Sequence, residues 1–442
     1  MASAAPLHAE QNSPFVISAG DISTYLGGTM RDDVLTRDLD SDSRGDPRRA
    51  SGTGAKGPLA PGAQVWHNFA LSAGRPAFFR AAKGARVLTE DGTTLLDLYG
   101  GSGTIILGHG NQAQIDAVRA VLDSGATVSL RHPLEPRLAG RVVDLCPEAE
   151  YAAFFKTGSE AVHAAITACI RATGRRKVLT TTYHGWLLPL GYLKPENRSA
   201  ANRTSARETT GNASGIDVVD LDWQSPNLVE EVRAAAQGAA CILVTPNALT
   251  PGAPIVRAVV RAARDAGALV VFDEVKAGFR YAYPNVTAVW DLRPDLRVLS
   301  KAMGNGFPIA ALAGGELLAS EATFSLFSTY ASEFVSMAAA SACLDELAGG
   351  GYDAFARAST ALYEGLREIG PRYGVAVRGI PTFFRLELPG TVQPDVLCRA
   401  LYDRGVLYHP LDEVLASAAY GSAEVEQALA AFTGAFDETI LG

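Results

Sequence analysis

Ala268-Leu269-Val270-Val271-Phe272-Asp273-Glu274 is an apolar run that stops abruptly on two carboxylates. A second run, Leu296-Arg297-Val298-Leu299-Ser300, stops on Lys301, twenty-eight residues after Asp273. A glycine-rich turn follows, Ala302-Met303-Gly304-Asn305-Gly306-Phe307-Pro308. Short apolar runs between turn signals read as strands buried on both faces. An amine and a carboxylate at the ends of two such strands can grip opposite sides of one small planar molecule. Neither residue says this alone. A lone lysine is ordinarily a solvated surface charge, and Asp273 alone reads as a helix cap or an ion pair with Arg280.

The surrounding pattern supports an α/β sheet. Residues 153–155, 177–181 and 241–244 read as strands, and 160–173 and 254–266 as helices, the first stopped by Gly174. Alternation of this kind argues for a mostly parallel sheet covered on both faces. Upstream, residues 86–89 and 94–98 flank Glu90-Asp91-Gly92 as a hairpin, and 111–123 has helical spacing. Downstream, an alanine-rich helix runs from about residue 332 to about 347, and strands at 375–377, 383–388 and 406–409 suggest a smaller α+β domain. The expected division is a flexible extension over 1–55, the N-terminal part of a small domain over 56–110, a large cofactor-binding domain over 111–330, and a linking helix with the C-terminal small domain over 331–442. Residues 31–56 hold too few large apolar groups to offset the entropy of ordering them. The polar piece 194–215 reads as a surface loop.

Composition narrows the function. With 48% hydrophobic and 19% charged residues in 442, a sizeable core can form. Net charge is −8, from 39 basic and 47 acidic residues, which argues against a nucleic-acid binder. The five cysteines are widely spaced and form no C-x-x-C, so neither a disulfide framework nor a metal site is expected. No apolar run approaches the roughly 18–20 residues that span a bilayer. A cytoplasmic protein acting on small molecules, without membrane or nucleic-acid partners, is the expectation.

Further motifs converge on the same edge. Thr157-Gly158-Ser159-Glu160 follows a strand and opens a helix, where free N–H groups can seat a phosphate; hydroxyls of Thr157 and Ser159 could add bonds. Tyr183-His184-Gly185-Trp186 follows another strand, and an aromatic there can lie flat on a ring. Ligands of open α/β sheets collect at the C-terminal ends of the strands. A lysine for a Schiff base, a carboxylate for a protonated ring nitrogen and a phosphate seat together describe what pyridoxal 5'-phosphate requires.

In this order and spacing the motifs resemble the class III aminotransferases of the fold type I pyridoxal phosphate family. The likeness runs from about Pro61 to the C-terminus. It rests on Asp91-Gly92 with Leu96-Asp97, Gly108-His109-Gly110, Thr157 to Ala161, Tyr183-His184-Gly185, Asp273-Glu274-Val275, Gly278-Phe279-Arg280, and Ser300-Lys301 with Gly304 to Pro308. The resemblance implies a large domain with a seven-stranded, mostly parallel sheet and a small α+β domain built from both chain ends. It implies that Lys301 and Asp273 are catalytic, the lysine carrying the cofactor and shuttling a proton. Gly158 and Ser159 would hold the phosphate, Val275 and Tyr183 would pack on the ring faces, and His184 would join the cofactor contacts. Thr329 would reach the cofactor of the other subunit of a homodimer that shares its active sites.

The nearest likeness is to the glutamate-1-semialdehyde 2,1-aminomutases and similar aminotransferases, with three departures. Pro61 to Phe69 contains no arginine, the usual Glu-Pro before the cofactor aspartate is Thr245-Pro246, and Ser332-Glu333-Phe334 replaces Gly-Asn-Pro. Cofactor-facing residues survive while others change, so the same chemistry on another substrate is expected. Trp66, Trp186 and Glu333 are candidate substrate contacts, and Arg75, Arg131, Arg137, Arg378 and Arg385 candidate carboxylate binders. The leading expectation is an aminotransferase of a specialised biosynthetic pathway. The alternatives are an intramolecular aminomutase or racemase, and a non-catalytic cofactor-fold binding protein.

Overall fold

The computed structural model describes residues 78–127, 129–185, 187, 215–319, 328–410 and 412–441. The opening stretch lies at the centre of a seven-stranded sheet. The first hairpin region supplies β1 (Phe79–Lys83), β2 (Arg86–Thr89) and β3 (Thr94–Asp97). The large sheet is built from β4 (Tyr151–Phe155), β5 (Lys177–Thr180), β6 (Asp217–Asp220), β7 (Ala239–Val244), β8 (Leu269–Glu274), β9 (Leu296–Leu299) and β10 (Ala310–Gly314). Their order is β4-β10-β9-β8-β7-β5-β6. Only β10 runs against its neighbours, β4 and β9; the remaining pairs are parallel.

Period-two alternation explains how the sheet is covered. Cys241 and Leu243 of β7, Val271 of β8 and Val298 of β9 pack with α3 (Gly158–Thr173), which follows α1 (Gln112–Leu122) and α2 (Leu134–Leu145) in the chain. Ile242 and Val244 of β7, with Val270 and Phe272 of β8, pack instead with α4 (Leu228–Ala235) and α5 (Ala253–Asp265). Each such fully buried side chain contributes about 1.5–3 kcal/mol of transfer free energy. Strand β8 runs two residues beyond its apolar run and takes in both Asp273 and Glu274. Glu274 tolerates burial because Arg297, from the neighbouring β9, pairs with it and the Val286 N–H donates to its other oxygen at 2.9 Å.

The helices begin and end where their capping residues dictate. Asn111 caps α1 by accepting from the Gln114 N–H. Thr157 and Glu160 form a reciprocal capping box on α3, and Gly174 ends it with φ 67°. Helix α6 (Phe334–Glu346) starts on Glu333 and is buried on most of its circumference.

Both ends of the described chain share another core. Leu96 and Leu98 pack with Leu362, Phe384, Leu397, Leu401, Phe432 and Phe436. The elements around it are α7 (Tyr352–Ile369), β11 (Ala376–Ile380), β12 (Phe383–Glu387), α8 (Pro394–Tyr402), β13 (Val406–Leu407), β14 (Glu413–Val414) and α9 (Ser422–Phe436). Strand β13 pairs in parallel with β3, closing the sheet β1-β2-β3-β13, and β11-β12-β14 form a third sheet. Arg280, fully buried, donates to the carbonyls of Gly103, Ile105 and Ala416. It thereby ties the segment after β8 to loops of the small layer and has no part in holding Asp273. Residues 1–55, the loop 194–214, Trp66, Arg75 and Trp186 lie outside the described residues.

Candidate active site

Lys301, Asp273, Gly158, Tyr183-His184 and Thr245 each follow or close a different strand at one edge of the sheet. Because β4, β5, β7, β8 and β9 all point the same way, their C-terminal ends line up there. Asp273 pairs in register with Val298 and Glu274 with Leu299. Continuing that register sets the segment at Lys276 beside the segment at Lys301.

Asp273 is buried and ionically partnered in an unexpected way. Its Oδ2 lies 2.8 Å from His184 Nδ1, and its Oδ1 accepts the Val275 N–H at 3.1 Å. A carboxylate has about four lone-pair sites, so room remains for a further donor. His184 is itself fully buried, and its Nδ1 also lies 2.9 Å from Thr245 Oγ1. The link from His184 to Asp273 spans 89 residues of sequence. The sequence motifs name His184 as a cofactor contact but do not show this partner.

Lys301 sits at φ 46° as the first residue of a 3-10 turn, a conformation non-glycine residues rarely adopt. The surroundings hold it there. Ser300 Oγ donates to the Ile309 carbonyl at 2.8 Å. Asn305, also at positive φ, accepts from the N–H groups of Ile106 and Leu107 and donates to Gln114 Oε1. Gln114 in turn donates to the carbonyls of Gly304 and Ala339. Burial draws the Lys301 amine down to about 8, and the Lys276 ammonium adds to that effect. A lysine so placed is neutral far more often than a solvated one.

Lys276 was not singled out from sequence. Its ammonium bridges Asp412 and Glu413, and its stem lies against Gly103. Burial opposes its charge, but Glu413 and Asp412 hold its pKa above the ordinary lysine value. It therefore remains a cation beside Lys301. In Lys276→Met the lowering influence is gone while the two carboxylates stay. Acylation of Lys301 by an amine-directed reagent, followed by peptide mass in the cofactor-free protein, should then show a midpoint above that of the wild type. A lower or unchanged midpoint would contradict this electrostatic account.

The N-terminus of α3 is shaped for close approach. A Cβ on Gly158 would stand 2.5 Å from Val275 Cγ1, so only glycine lets Val275 pack there. Gly185, at φ 100°, likewise abuts the Ser159 side chain. The first N–H groups of a helix have no intrahelical acceptor, which leaves those of Gly158 and Ser159 free for an anion. The Thr157 hydroxyl is otherwise engaged: it accepts the Glu160 N–H and donates to the Glu160 carboxylate. Its proton is spent on the helix cap and not offered to an anion.

The remaining expected residues fall out as follows. Tyr183 is 37% exposed and Thr329 is exposed. Glu333 caps α6 by accepting from the Val335 and Ser336 N–H groups, and it pairs with Lys156 at 2.8 Å. The Lys156 contact helps hold its carboxyl below the ordinary value against the opposing effect of burial. Its oxygens are thus spent on the protein, not turned to a substrate. Arg131 and Arg378 are surface ion pairs with Glu135 and Glu387, and Arg137 donates to the Pro133 carbonyl. Arg385 stands opposite Glu413 in the β12–β14 register. Among the described residues no helix is long and apolar enough to cross a membrane.

A buried amine with a lowered pKa, a carboxylate with open lone pairs and a helix N-terminus thus share one sheet edge. The profile of the family "Aminotransferase class-III" matches residues 71–191 and 213–432. The chain belongs to that family, and its fold is that of the fold type I pyridoxal phosphate transferases. The 2'-deamino-2'-hydroxyneamine transaminase of Streptomyces kanamyceticus is 34% identical over 62% of this chain and 67% of that protein. A glutamate-1-semialdehyde 2,1-aminomutase of Citrifermentans bemidjiense is 30% identical over 54% of this chain, which spans 58% of the aminomutase's length. The FumI protein of Sphingopyxis sp. MTA144, solved in its PLP internal aldimine form, superposes with TM-score 0.70 at 26% identity, covering 82% of this chain and 88% of that one.

Proposed function

We propose that this protein is a pyridoxal phosphate-dependent aminotransferase that moves an amino group from an amino acid donor to a keto or aldehyde acceptor. The observation that carries the reading is the pairing of a depressed-pKa Lys301 with a hydrogen-bonded Asp273 on adjacent strand ends. Bound there, pyridoxal phosphate supplies an aldehyde for an amine and a ring that withdraws electrons from the reacting carbon. Lys301 would hold the cofactor through its Nζ, and the same amine would hold and move the proton at the substrate carbon. Asp273 would face the ring nitrogen and hold a proton there, and His184, 2.8 Å away, orients Asp273. Gly158 and Ser159 would hold the phosphate, and Val275 and Tyr183 would pack against the ring.

The same proposal keeps a large domain over 111–330 and a small domain drawn from 56–110 and 331–442. It also keeps a homodimer in which Thr329 completes the partner's site. Exposed Leu130 and Tyr330, 83% and 61% accessible, fit burial against a second copy. Sedimentation showing only monomer at micromolar concentration would remove the shared site from this reading.

A specialised biosynthetic role is supported by the relative from Streptomyces kanamyceticus, and an aminomutase reading by the relatives of that name. The lack of arginine between Pro61 and Phe69 weighs against glutamate semialdehyde as substrate. Donor amino acids supplied one at a time to the holoenzyme should each give at most one equivalent of keto acid until an external carbonyl acceptor is added. Sustained turnover of a single substrate without an acceptor would replace the aminotransferase with a mutase or racemase.

A further inference from the structure

The site contains a side chain with no role assigned above. Thr245 follows β7, is 9% exposed, and lies with its Oγ1 2.9 Å from His184 Nδ1, the atom that also contacts Asp273 at 2.8 Å. Its backbone is fixed as well, since the Thr245 N–H donates to Thr181 Oγ1, and Thr181 donates to the Leu243 carbonyl.

Two proton arrangements of a neutral ring satisfy these distances, and a doubly protonated ring shares with the first of them a proton on Nε2. If Nδ1 has no proton, it accepts from the Thr245 hydroxyl, and Asp273 must be protonated to face it. Nε2 then carries the proton. Yet Nε2 is buried and has no hydrogen-bond partner among the described residues, and an orphaned buried N–H is rarer than an orphaned acceptor. If Nδ1 carries the proton, it is shared between Asp273 and Thr245, Nε2 is only an unpaired acceptor, and Asp273 stays ionised. The second arrangement strands no ring N–H; the donor it leaves over is the Thr245 hydroxyl, which can rotate and belongs to a residue still 9% exposed. It also matches Asp273 accepting the Val275 N–H.

We propose that Thr245 is a positioning residue: by sharing the His184 Nδ1 proton with Asp273 it fixes the neutral Nδ1–H form of the imidazole and limits how much of the Asp273 charge that proton takes. The inference rests on Asp273 facing the ring nitrogen of the cofactor. A hydroxyl does this where a carboxylate could not, because a second anion at Nδ1 favours the doubly protonated ring.

The test uses cofactor-free and cofactor-loaded full-length protein with Thr245→Ser, Thr245→Val and Thr245→Glu. In the cofactor-free wild type, nitrogen-15 spectra of the His184 ring should show a protonated Nδ1 and a bare Nε2. A proton on Nε2 alone would overturn the proposal whatever the variants do. In Thr245→Glu the ring should become doubly protonated; a ring that stays neutral there counts against it. In loaded Thr245→Val the undivided Nδ1–H bond draws charge from Asp273. The pH midpoint of the bound cofactor's visible absorbance should rise by about half a unit, the size of one modest hydrogen bond. Thr245→Ser should restore it. Lys276, Asp412 and Glu413, which act electrostatically on Lys301, are common to all variants. An unmoved midpoint in Thr245→Val would sink the positioning role. If instead the wild type took up no cofactor, the aminotransferase reading would fail while the nitrogen-15 result still stood.

Discussion

Lys301→Ala protein is expected to fold and to lose amino transfer by about 10^4-fold or more. On the proposed role of Lys301, both the Schiff-base nucleophile and the proton carrier leave with one side chain, and positioned proton transfer alone accounts for about 10^2–10^4-fold. Stability should not suffer. Burial opposes the Lys301 charge, so the cofactor-free fold holds that ammonium against its preference. The sign follows from linkage. The unfolded chain binds the proton more tightly, so wild-type stability should climb as pH rises from about 8 toward the ordinary lysine value. Lys301→Ala should lack that component. The checks are a half-reaction with each donor and urea unfolding across pH. Transamination at wild-type rate by the variant would end the assignment of Lys301.

Arg297→Met is expected to cost about 3–5 kcal/mol of folding stability, the largest effect we foresee away from the chemistry. Arg297 is fully buried and is held by Glu274, by Glu148 at 2.6 Å and by the Thr287 hydroxyl. Burial would lower its pKa, but Glu274 and Glu148 lift it above the ordinary arginine range. Methionine fills much of the volume and leaves two carboxylates without their cation. Burial then lifts the Glu274 carboxyl with no arginine to oppose it. A group with a raised folded pKa contributes stability that is lost as pH rises. The variant should therefore lose more ground to wild type at pH 8 than at pH 5 in urea unfolding. An equal deficit at both would mean that lost packing, not the stranded charge, sets the cost. Because β8 carries both Glu274 and Asp273, cofactor affinity should weaken alongside.

These two residues show how differently parts of the site were legible. Lys301 and Asp273 could be read from the chain because strand ends and a glycine turn are local signals. The extent of β8 could not. Its apolar run stops at Phe272, yet the strand continues because Arg297, 23 residues on, neutralises Glu274. Gly158 and Ser159 were legible as a helix start, whereas the commitment of the Thr157 hydroxyl to its own cap was a matter of geometry. Glu333 stood out as a departure from the family pattern, but its work is to begin α6 and pair with Lys156, 177 residues away.

From the sequence alone came the alternating strands and helices and the cofactor type, since each depends on periodicity, turn chemistry or short motifs. Only the tertiary structure decided which charges meet. Lys276 with Asp412 and Glu413, His184 between Asp273 and Thr245, and Arg280 on three carbonyls join segments about 60 to 180 residues apart. Such pairs leave no periodic trace in the chain, because a buried charge or ring nitrogen is satisfied by whatever folding brings beside it.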